Sequence, residues 1–146
     1  MKLHIGCGRD IKKGFINIDR IQAEGIDVVL NVGSEKFSYD DNTIDYILAN
    51  HFIEHLDTDE TTFMLDELYR ICKVGAIVDF SAPHFLSQTS CRPWHKQRIS
   101  ETYFDDYEVM EKICSLDHKF YFKVKSRTEC LNGFPETIFF KLEVVK

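Results

Sequence analysis

The sequence predicts an α/β domain with a mostly parallel sheet, closed by a C-terminal antiparallel hairpin, in three α/β/α layers with few helices. Two patterns lead to this prediction. A helical apolar stripe lies between apolar strand candidates at 43–49 and 76–80, and such an order implies a crossover between parallel strands. Alternating apolar residues on both sides of Asn132-Gly133 indicate a β-hairpin at the end of the chain.

The composition is that of an ordinary globular chain. Its 146 residues, 44% hydrophobic and 29% charged, predict one domain over 1–146. The net charge of −6 implies no general polyanion-binding surface. The basic group at 92–98 is followed by acidic residues at 101, 105, 106 and 108, which argues against a continuous track for phosphates, so nucleic acid is not the expected partner. The five cysteines include no C-x-x-C pair, so neither a disulfide framework nor a zinc knuckle is expected. With no signal segment and no apolar run that could span a membrane, the expected location is cytoplasmic.

The first half of the chain carries four strand candidates, at 3–5, 15–19, 26–30 and 43–49. The third is apolar enough for a strand that is buried on both faces. Only nine residues, 6–14, separate the first two candidates. A parallel crossover normally needs about a dozen residues or more, so a turn rather than a helix is expected between them.

One helix is predicted between the fourth and fifth strands. Asp57 followed by Glu60 has the spacing of a capping box, which places the helix start at Asp57. Gly75 is expected to end the helix. Its buried stripe is predicted to contain Met64, Leu65, Leu68, Ile71 and Cys72.

The second half ends in the predicted hairpin. After the strand at 76–80, residues 84–99 form an irregular stretch of a length that is usually functional or disordered. A second helix is predicted from Ser100 to about Cys114. Strands at 120–125 and 137–145 then pair at one edge of the sheet, with Lys141 and Glu143 facing outward.

A glycine turn and a carboxylate stand at the ends of the first two strands. Gly6 and Gly8 flank Cys7, and glycine is used where φ must be positive or where a ligand approaches the backbone. Asp19 ends the second strand, where nucleotide-type α/β folds place the acidic partner of a ribose diol. A plain strand-to-loop turn would also account for the glycines, so these residues alone leave both interpretations open.

The order and spacing of several segments resemble the class I S-adenosylmethionine-dependent methyltransferases. The resemblance implies a Rossmann-like sheet and S-adenosylmethionine as the cofactor, bound at the carboxyl ends of the strands. It further implies O- or N-methylation of a small or medium-sized acceptor without a metal. The segments that carry it are Ile5–Gly8, Ile18–Asp19, Asp45–Leu56, Glu67–Gly75 and Ser81–His84.

The resemblance also implies a role for each position in the cofactor site. The glycine turn approaches the methionine and ribose, Asp19 holds the ribose hydroxyls, the residues after the third strand line the adenine, and those after the fourth lie near the sulfonium. Asn31 stands where an aspartate is common, so a neutral amide would contact the adenine amino group. The implied cofactor residues are Gly6, Cys7, Gly8, Asp19, Asn31, Val32, Asn50 and His51.

Two histidines of the irregular stretch are candidate catalytic bases. Methyl transfer is an in-line displacement that depends on positioning, and a hydroxyl or amine acceptor also benefits from a general base. His84 follows the fifth strand, and His95 lies beside Trp94. The alternative is that both histidines hydrogen-bond the loop backbone. Trp94 and His55 are the expected substrate-binding residues.

The segment from His51 to His55 also matches H-x-x-E-H, the pattern of inverted zinc proteases. On one helix the two histidines would bind zinc, with Glu54 as the base of a hydrolase. The pattern precedes the predicted helix start at Asp57 and no third ligand follows clearly, so no metal is expected. Glu54 and His55 would instead fix the loop after the fourth strand.

Two further expectations concern partners. One alternative function is a domain that binds S-adenosylmethionine without catalysis, or that needs a partner subunit for activity. The exposed edge of the predicted hairpin and the twelve phenylalanines are compatible with a homodimer, although core packing accounts for most of the phenylalanines. The expected partner of the site itself is a small-molecule acceptor.

Overall fold

The computed structural model describes residues 1–105 and 122–146, which share one seven-stranded sheet. The strand order is β3-β2-β1-β4-β5-β7-β6, parallel from β3 to β5, with β7 antiparallel to both of its neighbours. The predicted fold class, a Rossmann-like and mostly parallel sheet that ends in an antiparallel hairpin, is confirmed. The strands are β1 (Lys2–Ile5), β2 (Ile16–Asp19), β3 (Val28–Val29), β4 (Ile44–Asn50), β5 (Cys72–Pro83), β6 (Phe122–Leu131) and β7 (Phe134–Val144).

The helix α1 (Thr58–Ile71) connects β4 to β5 as predicted. The Asp57 carboxylate accepts from the Glu60 backbone N–H at 3.0 Å, and the Glu60 carboxylate accepts from the Asp57 N–H at 2.8 Å, which completes the capping box. Short 3-10 helices lie at Ile53–His55 and Gln88–Cys91. None of the helices in the described part of the chain has the length and hydrophobicity needed to cross a membrane. The predicted apolar stripe is buried: Met64, Leu65, Leu68, Ile71 and Cys72.

The prediction that Gly75 ends the helix is wrong. The helix ends at Ile71, and Cys72 already pairs with Ile44 at the start of β5. The register then shifts, so that the next pair is Tyr46 with Ile77. Gly75 lies inside this irregularity with φ +76°, where a bulge needs a residue that tolerates the left-handed conformation.

The prediction of a strand at 26–30 that is buried on both faces is also wrong. Only Val28–Val29 form β3, and Val29 is 48% exposed. Among the described strands it is the first in the sheet order, and β2 is its one neighbour there. An apolar run does not distinguish an edge strand from a central strand, because the distinction depends on neighbours that come from elsewhere in the chain.

The connection from β1 to β2 contains no helix, as the short spacing predicts. The two strands nevertheless pair in parallel, with Leu3 opposite Ile16. The Cys7 N–H donates to the Ile18 carbonyl at 3.2 Å, and the Asp10 N–H donates to the Cys7 carbonyl at 2.8 Å. The first bond extends the pairing of β1 with β2, and the second closes a tight turn after β1. No helix in this segment covers the carboxyl ends of the two strands.

The hairpin is confirmed, with its turn at Asn132-Gly133 and with exposed Lys141 and Glu143. Residues 103–105 are helical, but the remainder of the second predicted helix, to Cys114, lies outside the described residues, as do residues 120–121 of the predicted strand. Phe104 packs at 5.8 Å from Phe80 and 4.8 Å from Phe140, measured between ring centroids.

Two charged residues of α1 fix the segment that follows β3. Glu67 accepts from the Phe37 N–H at 3.1 Å, while Arg70 donates to the Phe37 carbonyl at 3.0 Å and to the Tyr39 carbonyl at 2.8 Å. Arg70 also holds the pKa of the Glu67 carboxyl below its usual range, so the pair is charged at neutral pH. The segment held in this way begins at the carboxyl end of β3.

Candidate active site

A cavity of about 710 Å³ opens at the carboxyl ends of β1 to β4. Open parallel sheets bind ligands at this edge, and the volume is in the range of small-molecule sites. It is lined by several of the residues that the sequence singled out: Gly6, Gly8, Asp19, Asn31, Val32, His51, His55 and Trp94. Residues that sequence reasoning missed also line it, among them Arg9, Arg20, Ile21, Leu30, Phe52, Leu56, Glu60 and Lys96.

The two glycines of the first turn serve different needs. Gly6 has φ +61°, and a Cβ on it would lie 2.2 Å from Cδ2 of Phe52. Gly8 has φ +52°, and a Cβ there would meet nothing within 4 Å, so the space above it is open. Cys7 is buried and lies outside the cavity lining, and burial raises the pKa of its thiol. Gly8 therefore offers the open backbone surface, and Cys7 belongs to the turn beneath it.

Asp19 is oriented by two backbone donors. Its Oδ2 accepts from the Gly8 N–H at 2.9 Å, and its Oδ1 accepts from the Ile21 N–H at 3.0 Å. The half-buried carboxylate thus joins the turn after β1 to the turn after β2. Each carboxylate oxygen retains further acceptor capacity, which two hydroxyls of a ribose could use.

The stretch after β3 forms a second wall. The Asn31 N–H donates to the Glu35 carboxylate at 2.7 Å, while the Asn31 side chain is exposed at the cavity. Val32 is buried, and Leu30 and Ile21 add apolar surface nearby. A flat apolar ring with polar edges fits such a wall. No local periodicity marks Ile21, which explains why sequence reasoning missed it.

His51 and Asn50, at the end of β4, point to different places. His51 has φ +49° and is exposed at the cavity, and its backbone N–H donates to the Ser81 carbonyl at 2.7 Å. Its Nδ1 lies 3.6 Å from Oε1 of buried Glu54. Asn50 accepts from the Ser81 hydroxyl at 3.1 Å and lines a separate cavity of about 400 Å³. The structure brings His51, and not Asn50, to the main cavity.

His84 is buried away from the main cavity, and both of its ring nitrogens are engaged. Its Nε2 lies 3.1 Å from a carboxylate oxygen of Glu101, and its Nδ1 accepts from the Leu86 N–H at 3.2 Å. Thr128 on β6 donates to the other Glu101 oxygen at 2.6 Å. The hydrogen bonds from Thr128, the backbone and His84 lower the pKa of Glu101 to about 2. This arrangement corresponds to the alternative in which His84 hydrogen-bonds the loop backbone and does not act as a base.

The link through Glu101 predicts a pH dependence of stability. The pKa of this carboxyl is about 2 in the folded protein against an ordinary value of 4.5, so the unfolded state takes up a proton first as the pH falls. The stabilisation is fully present above about pH 4.5 and is lost as the pH falls towards about 2. We expect Glu101→Gln to reduce the acid dependence of the urea unfolding midpoint relative to the parent protein. Identical pH profiles for the two proteins would contradict this.

The histidines of H-x-x-E-H do not share one helix, because His51 follows β4 directly and His55 ends a 3-10 helix. The two histidines are therefore not arranged on one helix, as the zinc-protease pattern would require. His95 lies outside the lining of the cavity but packs edge-on against His55, with ring centroids 5.0 Å apart. The Lys96 N–H donates to the Glu54 carbonyl at 2.8 Å and so holds the irregular loop against this 3-10 helix.

Charged residues are part of the cavity lining: Arg9, Arg20, Glu60 and Lys96. Lys96 donates to the Glu60 carboxylate at 2.6 Å, and the pair connects the loop to the first turn of α1. Arg9 and Arg20 stand directly after Gly8 and Asp19 in the sequence. This adjacency is the signal that could have identified the two arginines, whereas the approach of Lys96 to Glu60 depends on the fold.

The methyltransferase domain family matches residues 3–80, more than half of the 146-residue chain. No curated protein matches the sequence. The fold is similar to a SAM-dependent methyltransferase from Archaeoglobus fulgidus, at 18% identity over 97% of this chain and 85% of that chain, with a TM-score of 0.72. It is also similar to the N-methyltransferase NodS from Bradyrhizobium japonicum, solved with S-adenosyl-L-homocysteine, at 12% identity over 99% and 78% of the chains, with a TM-score of 0.66.

A third similar structure is a SAM-dependent methyltransferase from Aquifex aeolicus, at 18% identity over 99% of this chain and 81% of that chain, with a TM-score of 0.60. At these identities the likeness concerns the fold. The family match includes the glycine turn, Asp19, and the segment from His51 to α1. The chain therefore belongs to the methyltransferase domain family, and it is a class I S-adenosylmethionine-dependent methyltransferase.

Proposed function

We propose that the chain binds S-adenosylmethionine in the main cavity and transfers its methyl group to a hydroxyl or an amine of a small or medium-sized acceptor. The observation that supports this most strongly is the continuity of one cavity. Gly8 and Asp19 line the same cavity as His51 and His55. A volume of about 710 Å³ suits a nucleoside cofactor with a small second ligand beside it.

The chemistry of the residues that line the cavity supports a position for each part of the cofactor. Asp19, already held by two backbone N–H groups, accepts from the ribose hydroxyls. The adenine lies against Val32, with the Asn31 amide at its polar edge. The methionine portion passes over Gly8, where a side chain is missing, and the sulfonium lies near His51.

The acceptor occupies the end of the cavity at His55 and Trp94. The Trp94 side chain is 57% exposed and offers a flat apolar surface at the opening of the cavity. In the reaction the acceptor oxygen or nitrogen forms a bond to the methyl carbon as the bond from carbon to sulfur breaks. S-Adenosylhomocysteine leaves, and the acceptor proton passes to a base. Alignment of the two ligands supplies much of the rate.

Among the described histidines, His51 is best placed to take this proton. Its ring is exposed in the cavity, and the buried Glu54 carboxylate at 3.6 Å would stabilise the imidazolium that forms. His84 has neither a free ring nitrogen nor access to the cavity. His95 adjoins the cavity only through His55. The geometry thus favours His51 over the two loop histidines that the sequence suggested.

Replacing His51 by glutamine tests this role. We expect His51→Gln to lower kcat by about 10²–10⁴-fold, the usual contribution of a general base, with a much smaller effect on the affinity for S-adenosylmethionine. The rate is measured by transfer of a radiolabelled methyl group. His84→Gln is the matched control, because it alters a histidine outside the cavity, and it is expected to lower stability and leave kcat unchanged. A His51→Gln enzyme with parental kcat would contradict the assignment.

The function itself is tested in two stages. Calorimetric titration with S-adenosylmethionine and S-adenosylhomocysteine is expected to give saturable binding to both. Panels of small alcohols, phenols and amines are then incubated with radiolabelled cofactor to identify the acceptor. Transfer to oxygen or nitrogen supports the proposal, whereas binding without transfer to any acceptor would favour the domain that requires a partner.

Three remaining predictions accompany this proposal. A cytoplasmic location is supported by the free thiols of the described cysteines, Cys7, Cys72, Cys91 and Cys130. A single domain over 1–146 is supported by the one sheet that runs from β1 to β7. A homodimer remains a prediction, and it rests on the position of β6 as the last strand of the sheet among the described residues.

A further inference from the structure

We infer that Glu54, His55 and His95 form a binding site for a divalent transition-metal ion of the zinc type. The three side chains come from the 3-10 helix at Ile53–His55 and from the loop before Ile99. One potential ligand atom from each lies within 4.8 Å of the other two. The set differs from the one that H-x-x-E-H suggests, because His95 replaces His51.

Unsatisfied buried atoms support the presence of a cation. The Glu54 side chain is only 2% exposed, and its Oε2 has no hydrogen-bond partner among the described residues. The Nδ1 of His95 is likewise buried and without a partner in this part of the chain. The other oxygen, Oε1, faces His51 Nδ1 at 3.6 Å, so Oε2 is the atom left without a partner, and a buried polar atom in that state is disfavoured. A bound cation would satisfy both groups at once.

The surrounding backbone orients the ligands. The Nδ1 of His55 lies 3.3 Å from the Trp94 carbonyl. With that carbonyl as acceptor, the proton resides on Nδ1 and the lone pair on Nε2 is available to an ion, the arrangement typical of histidine ligands. The N–H groups of Lys96 and Gln97 donate to the Glu54 carbonyl at 2.8 and 3.3 Å. These bonds hold His95 close to Glu54 without any metal.

The donor set selects the kind of ion. Two imidazoles and one carboxylate are a common set for catalytic zinc, which leaves a coordination position open. Magnesium and calcium prefer oxygen ligands alone. His55 also belongs to the cavity wall, so an ion here would adjoin the acceptor end. An ion in that position would lower the pKa of an acceptor hydroxyl and so favour its methylation. This consequence rests on the proposed function, whereas the metal site itself is independent of that function.

The test measures metal binding without cofactor or turnover. Protein freed of metal with a chelator is titrated with zinc chloride in competition with a chromophoric chelator. We expect one zinc per chain, and we expect Glu54→Gln and His95→Gln each to weaken binding by at least about tenfold. His51→Gln is the matched histidine control, and a Cys91→Ser, Cys130→Ser double variant removes the two exposed thiols of the described residues. Both controls are expected to retain one zinc.

Thermal unfolding with and without zinc provides a second measurement. At the same zinc concentration, the increase in Tm should be clearly smaller for Glu54→Gln and His95→Gln than for the parent protein and both controls. His95 is partly exposed, so its variant remains informative if the buried Glu54 variant fails to fold. Lack of stoichiometric zinc in the folded parent protein would overturn the inference. Zinc binding that persists in both ligand variants, or that disappears in the cysteine variant, would overturn it equally.

Discussion

Asp19→Ala is expected to weaken S-adenosylmethionine binding by about 100-fold or more. The carboxylate is held by the Gly8 and Ile21 N–H groups at 2.9 and 3.0 Å and is aimed at the cavity. In the proposed complex it accepts from two ribose hydroxyls, and a hydrogen bond to a charged group contributes about 1.5–3 kcal/mol. Since about 1.4 kcal/mol changes an affinity tenfold, two such bonds give the expected loss. Calorimetric titration measures it.

Two variants control this experiment. Asp19→Asn keeps the size of the side chain but has one carbonyl oxygen in place of two, so we expect an intermediate affinity. Asp59→Ala removes an exposed carboxylate from the first turn of α1, outside the cavity lining, and should bind like the parent protein. Parental affinity in a folded Asp19→Ala protein would contradict the proposed ribose site. It would leave the zinc titration unaffected, so the two proposals fail separately.

The fold was predictable where the signals are local. The capping box at Asp57 and Glu60 and the apolar stripe of α1 involve residues within a few turns of one another, so the crossover followed from the sequence. The role of Gly75 was not predictable in the same way. A glycine after a helical stripe is typical of a helix end, and only the register of β5 against β4 shows that it lies in a bulge.

The cavity residues were predictable because a parallel sheet brings the carboxyl ends of its strands together. This argument places Gly8, Asp19 and His51 at one edge without any side-chain information. The same reasoning says nothing about the loop from His84 to Ile99, because the apolar residues of this loop follow neither helical nor strand periodicity. The sequence therefore could not tell that His84 is enclosed by Glu101 and Leu86 while His95 meets Glu54. That contact depends on backbone bonds between segments about forty residues apart.

The second large effect is expected at Gly6, where alanine should destabilise the fold by roughly 2–5 kcal/mol. A non-glycine residue in the left-handed region costs about 1–2 kcal/mol, and overpacking adds about 1–3 kcal/mol. Here φ is +61° and the new Cβ would lie 2.2 Å from the Phe52 ring. Urea unfolding of the parent and variant proteins measures the difference. A loss below about 1 kcal/mol would mean that the turn adapts to the methyl group.

Comparison with Gly8→Ala separates the cost of the left-handed backbone from the cost of the clash with Phe52. Gly8 has a similar φ of +52°, but a Cβ there meets nothing within 4 Å, so only the backbone cost of about 1–2 kcal/mol is expected. The clash at Gly6 should be relieved in a Gly6→Ala, Phe52→Ala double variant, with a coupling energy of about 1–3 kcal/mol. Strictly additive effects would assign the need for Gly6 to its backbone conformation alone. Gly8→Ala should instead weaken cofactor binding, because its methyl group enters the space that the proposed ligand occupies.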